Sequence, residues 1–103
     1  LRRTMLNVDA LAFPGSPSTA EPVTPESMYG PIPAARSPWS SRFTVPFDYI
    51  GWPTINMPCG LSEDGLPFSV QFGAHALEEP LLVGLGAAFQ QSTEFHLAHP
   101  PGW

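Results

Sequence analysis

One thiol, three imidazoles and two adjacent carboxylate pairs are the side chains in this 103-residue chain that could do chemistry. Cys59 beside a histidine would make a thiolate nucleophile with its base. It lies, however, in the apolar run TINMPC between Pro58 and Gly60, the setting of a structural thiol. His75, His96 and His99 lack metal-ligand spacing, and no HExxH pattern occurs. The last two fit the C-terminal end of a helix, where the dipole favours a cation. Glu63 with Asp64 falls in a turn and Glu78 with Glu79 at a helix start, solvated positions that do not make an acid and a base. Gly84 and Gly86 form a lone G-x-G inside a helical pattern, with no strand leading into it as a phosphate loop requires. The chain has four Arg and no Lys.

The elements that carry these side chains follow from periodicity. Residues 8 to 13, VDALAF, predict a strand buried on both faces of a parallel sheet, with a short buried helix end as the alternative. From Pro14 to Pro38 repeated proline removes backbone donors and disfavours helix, so the segment reads as an irregular, partly polyproline-like surface loop; docking into an aromatic-lined groove is the rarer use of such a sequence. A loop of this size calls for support from outside it. Trp39, Phe43, Phe47 and Ile50 recur at helical spacing over 39–51, with Pro46 early and Gly51 as the stop.

A hairpin is predicted next. TINMPC reads as a strand with Ile55, Met57 and Cys59 on one side, which Pro58 confines to an edge or an end. Asp64–Gly65 is a turn signal, after which Leu66, Phe68, Val70 and Phe72 alternate with Pro67, Ser69, Gln71 and Gly73, giving one buried face. Over 77–95, Leu77, Leu81, Leu82, Leu85 and Phe89 define one helical face; Glu78, Glu79 and Pro80 suit its first turn, and Gly84 and Gly86 point to close packing.

Length allows at most one small domain, which buries only about 60% of its unfolded surface. With 14 Pro and 9 Gly the chain is rich in breakers, but 43% hydrophobic residues argue against intrinsic disorder. A net charge of -5 and the absence of clustered cations exclude a nucleic-acid or anionic-membrane partner. No apolar run approaches the roughly 20 residues that span a bilayer, and no secretory signal opens the chain, so a cytoplasmic protein is expected. A single Cys forbids an intrachain disulfide.

Between Phe43 and Ala74 the run FTVPFDYIGWPTINMPCGLSEDGLPFSVQFGA resembles the amidase signature family, which hydrolyses carboxamides. Phe43, Thr44, Pro46, Gly51, Pro53, Pro58, Gly60, Gly65, Leu66, Pro67 and Gln71 fall in place on its F-T-x-P, G-x-P, P-x-G and G-L-P pattern. Asp9, Leu11 and Pro14 match part of an earlier family strand, and FHLAHPPGW is similar to the family's ending. The resemblance implies a partial amidase-signature fold of the α/β class: a few strands of a mixed sheet, including the hairpin, with packed helices and the Pro-rich loop at 14–38. Residues 1–103 would then be a C-terminal fragment of a single amidase domain, roughly the last fifth of it, and the start at Leu1 agrees.

The family's chemistry uses a serine nucleophile, a second serine in a cis peptide bond and a lysine base. The resemblance therefore implies a chain that is inactive alone: it has no Lys, and Arg, always protonated, cannot replace one. It implies no cofactor, no metal and no catalytic residue here, a small-molecule amide as substrate of a full-length parent, and leaves homo-oligomerisation open. By the same resemblance Phe43, Thr44 and Trp52 would contribute a wall of the substrate pocket, although core packing is the commoner role of such residues. Two departures stand out. Asp48 sits where the family often has Asn, and Ser41 sits where glutamine-using members have an Asp before the F-T pair, which disfavours a tRNA amidotransferase subunit. The alternative reading is a non-catalytic interaction module that packs on a partner subunit, because a strand apolar on both faces needs more covering than this chain supplies.

Overall fold

The computed structural model describes residues 3–29, 41–100 and 102. Three strands, β1 (Ala10–Pro14), β2 (Thr54–Leu61) and β3 (Pro67–Ala74), form one sheet in the order β1-β3-β2, every neighbouring pair antiparallel. The helices are α1 (Pro25–Tyr29), α2 (Val45–Ile50) and α3 (Glu79–Ser92), and single 3-10 turns occupy Thr4–Asn7 and Phe95–Leu97. No helix among the described residues is long and apolar enough to cross a membrane.

The sheet is the middle layer between α2 and α3. Opposed residues on antiparallel strands share a face. Phe72 and Ile55 are opposed, as are Val70 and Met57. That face meets α3: the Phe89 ring stands edge-on to Phe72 at 6.0 Å, and Gly86 lies against Ile55 and Met57. On the other face Gln71 opposes Phe13 and Gly73 opposes Leu11. There α2 closes down, with the Phe47 ring stacked on Phe13 at 5.2 Å and seated over Gly73. Among the described residues Met5, Phe47, Met57, Ala74 and Leu82 are the buried apolar ones.

Local chemistry explains the boundaries. Pro46 sits in the first turn of α2, where its missing N–H is no loss, and Gly51 ends the helix in the left-handed conformation at φ 67°. The amides of Gly51 and Trp52 close back on Asp48 and Phe47 carbonyls. The Asp64–Gly65 signal makes the hairpin turn: Gly65 has φ 76° and its N–H bonds to Ser62 O, while Ser62 Oγ accepts from the Leu66 amide. Ser92 and Thr93 hydroxyls donate to the Ala88 and Phe89 carbonyls and so finish α3.

Several expectations are corrected. The strand predicted at 8–13 as a member of a parallel sheet runs antiparallel to β3 and begins at Ala10, and it is half-buried to exposed because only β3 flanks it among the described residues. No parallel pair occurs among the described strands, where a mixed sheet is expected, because each described connection to β3 reverses chain direction. β3 is not buried on a single face: Gln71 and Gly73 are buried, whereas Phe68 is exposed, since α2 covers the face that alternation assigns to solvent. Cys59 does not continue the Ile55–Met57 side, because the ladder slips between Pro58 and Gly60 and leaves Cys59 as the extra residue. Leu77 leaves the predicted helical face; it sits before α3 at φ 68° and is 86% exposed. Gly86 packs closely as expected, whereas Gly84 faces open space. His96 and His99 lie beyond the end of α3 at Ser92. Within the Pro-rich stretch α1 forms one helical turn from Pro25; residues 30–38 of that stretch, and Trp39, lie outside the described residues.

Candidate functional site

The three residues predicted to wall a pocket are distributed along α2. Phe43 and Thr44 precede it, and Trp52 follows Gly51, about 10 Å further along the axis. Phe43 is half-buried, with its ring 6.4 Å from Phe13 and the Arg42 guanidinium 4.7 Å above it. Thr44 is the residue before α2, but its hydroxyl donates backward to Ser41 O at 3.3 Å and caps no helix amide. Trp52 is half-buried against His75, ring centroids 5.0 Å apart. His75 Nε2 lies 3.2 Å from the Val8 carbonyl, a contact that places a proton on Nε2. Thus Phe43 belongs to the aromatic group over the Gln71–Gly73 face, and Trp52 to a separate one at the end of the sheet where β2 begins.

Two connected open clefts, about 390 and 530 Å³, lie between residues 16–20 and the hairpin end of the sheet. The larger is lined by Phe13, Pro14, Cys59, Phe68 and Val70 with hydroxyls from Ser16, Thr19 and Ser69; the smaller adds Asn56 and Met57. Neither includes Phe43, Thr44 or Trp52. The chain reaches this position because the Gly15 amide bonds to Ser69 O at 2.9 Å, and because Gly15 has no Cβ: one there would overlap Ser69 Oγ and Asn56 Oδ1. Ser16 Oγ then donates to Ser18 O at 2.7 Å and holds the turn.

Asn56, Ser69 and Gln71 share one face of the sheet; Asn56 is exposed and Ser69 half-buried, whereas Gln71 is buried although strand alternation assigns it to water. Gln71 is 2% exposed and its Oε1 has no hydrogen-bond partner among the described residues. The sequence signal for this burial is Gly73, two residues on along the same face, where only a bare backbone admits Phe47.

Chemically the arrangement offers walls and hydrogen-bonding groups. Among the described residues no hydrogen bond pairs Cys59 with a histidine, and no group of three or more His, Cys, Asp or Glu could hold a metal ion.

Comparison with known proteins gives a family model, Amidase, that matches residues 1–83. The A-subunit of the glutamyl-tRNA(Gln) amidotransferase of Rippkaea orientalis (strain PCC 8801 / RF-1) is 37% identical over 100 residues, which are 92% of this chain and 19% of that protein. The corresponding subunits of Prochlorococcus marinus (strain MIT 9303) and Trichormus variabilis (strain ATCC 29413 / PCC 7937) are 36% and 34% identical, with 19% and 18% of their lengths covered. The chain therefore spans about a fifth of the curated relatives it matches. No solved structure matches.

Proposed function

Because the chain belongs to the amidase family, we propose that it is the C-terminal part of an enzyme that hydrolyses a carboxamide to a carboxylate and ammonia or an amine, and that the chain by itself is inactive. The family match over residues 1–83 carries this reading. The inactivity follows from composition: acyl transfer from an amide needs an activated nucleophile with a base, and the chain has no Lys to act as the family's base. In this reading the sheet with α2 and α3 is one part of a larger amidase-signature fold, and residues 14–38 are a surface excursion of it. Phe43, Thr44 and Trp52 would face the substrate from the two ends of α2. Phe43 and Trp52 supply apolar surface; the Thr44 hydroxyl, whose proton is held by Ser41 O, would accept a hydrogen bond from the substrate.

The relatives are named as tRNA amidotransferase subunits. Ser41, standing where the resemblance expects an acidic residue in glutamine-using members, leaves this chain's own substrate at the level of a carboxamide.

Ammonia release from a panel of primary carboxamides tests the proposal. The purified chain is expected to give none. A chimaera in which it replaces the matched residues of the Rippkaea orientalis protein is expected to hydrolyse carboxamides. Turnover by the chain alone would overturn the inactivity. A folded but inactive chimaera would favour a non-catalytic module that packs on a partner subunit.

A further inference from the structure

The cleft between residues 16–20 and the hairpin end of the sheet has the make-up of a small-molecule site. Its volume of about 530 Å³ lies in the range of ligand pockets, which combine apolar walls with a few convergent polar groups. Phe13, Pro14, Cys59, Phe68 and Val70 supply the apolar part. Phe68 is 42% exposed, and Phe13 and Val70 are half-buried, so the protein's own packing leaves this surface open. The polar atoms gather at one place: Ser69 Oγ and Asn56 Oδ1 both border the space that a Cβ on Gly15 would fill. Among the described residues neither side chain is hydrogen-bonded, so both are free to meet a ligand.

The site is also uncharged. Among the described residues none that lines either cleft is Asp, Glu, Arg or His. Glu21 follows Ala20, and Glu63 and Asp64 follow Ser62; all three are exposed, and they make the surroundings negative. The Arg42 guanidinium is held over the Phe43 ring and lines neither cleft. Taking a carboxylate or an ammonium out of water is costly unless an opposite charge meets it. The cleft therefore favours a neutral ligand over an ionised one. Phe13 connects it to α2, because Phe13 lines the larger cleft and its ring lies 6.4 Å from that of Phe43.

We propose that this cleft takes the acyl group of the substrate, and that the substrate is an uncharged carboxamide with an aryl or arylalkyl body. This rests on the amidase reading above. The apolar body lies among Phe13, Phe68 and Val70, and Ser69 and Asn56 offer neutral hydrogen bonds to a substituent on it. Two consequences follow from the missing charge. A zwitterionic amino-acid amide is disfavoured, and so is the carboxylate product, which the negative surroundings also repel.

Nuclear magnetic resonance titration of the chain tests it, with phenylacetamide, phenylacetate and L-glutamine as the probes. Phenylacetamide is expected to shift the resonances of Phe13, Ser69 and Val70 in a saturable way, and to bind at least about tenfold more tightly than either charged probe. Thr19→Phe, which puts a ring into the cleft from an irregular segment outside the sheet, should abolish these shifts while the Phe47 and Gly73 resonances keep their folded positions. Shifts scattered away from the cleft, equal affinity for phenylacetate, or a Thr19→Phe chain that still binds overturns the proposal. In the Rippkaea orientalis chimaera the ratio of kcat/KM for phenylacetamide to that for L-glutamine should rise at least about tenfold over the unaltered Rippkaea orientalis protein. Thr19→Phe should lower that ratio mainly through KM. A chimaera that hydrolyses carboxamides with an unchanged ratio overturns the assignment of the cleft and leaves the amidase reading intact. A folded, inactive chimaera removes the amidase reading, and the assignment of the cleft to a substrate with it.

Discussion

The Phe47 ring occupies the space that a Cβ on Gly73 would need. Phe47 is 3% exposed, so the contact between α2 and the centre strand is a close approach of ring to backbone. It is what couples the F-T-x-P segment to the sheet.

Gly73→Ala is therefore expected to cost about 1–3 kcal/mol by overpacking, and Phe47→Ala about 3–5 kcal/mol by leaving a cavity. The double variant should cost less than the sum, because without the ring the new methyl has room. Urea denaturation of the four proteins measures this; additive losses would show that the two residues do not share that space.

Three other glycines separate backbone strain from packing. Gly51 has φ 67° with nothing near its absent Cβ, so Gly51→Ala is expected to cost about 1–2 kcal/mol through conformation alone. Gly84 is inside α3 and equally unobstructed, so Gly84→Ala should stabilise by about 0.5–1 kcal/mol. A Cβ on Gly86 would lie 3.1 Å from Ile55 Cδ1 and 3.3 Å from Met57 Sδ, and the same substitution there should lose that gain. The shift of the denaturation midpoint at unchanged slope reads each one.

Gln71 buries an oxygen with no donor among the described residues. An unpartnered buried acceptor costs about 1–3 kcal/mol, so Gln71→Met, close in volume, should leave the chain as stable or make it up to about 1 kcal/mol more stable. A marked loss in the same denaturation experiment would show that the amide is hydrogen-bonded after all.

The Glu26 carboxyl is held below the usual carboxylate range, first by its own backbone amide and then by the Thr24 hydroxyl. A lowered folded value means that the ionised form favours the folded turn. Its contribution is complete above the unfolded value and is lost as pH falls through the folded one. The carbon-13 titration of Glu26 should have its midpoint below that of an unstructured peptide, and Thr24→Ala should raise it. An unmoved midpoint in that variant would remove Thr24 from the cause.

Much of the architecture is legible in the sequence because it depends on local rules. Pro46 and Gly51 bracket α2, Asp64–Gly65 makes the hairpin, and the Leu82–Gly86–Phe89 face brings α3 onto Ile55, Met57 and Phe72. Leu77 misleads because apolar spacing does not reveal where a helix starts; Glu78 and Glu79 do, and Leu77 precedes them. Phe43, Thr44 and Trp52 come from resemblance, and periodicity cannot say that α2 separates them.

The sequence by itself determined the family, the breaks between elements and the absence of a lysine base, because each is a matter of residue type and short-range spacing. Only the tertiary structure decided which face of β3 is covered, that Gln71 is buried without a partner among the described residues, and that the ladder of β2 slips at Cys59. Those outcomes depend on which segments meet across long stretches of chain, and strand alternation gives two faces without saying what covers either one.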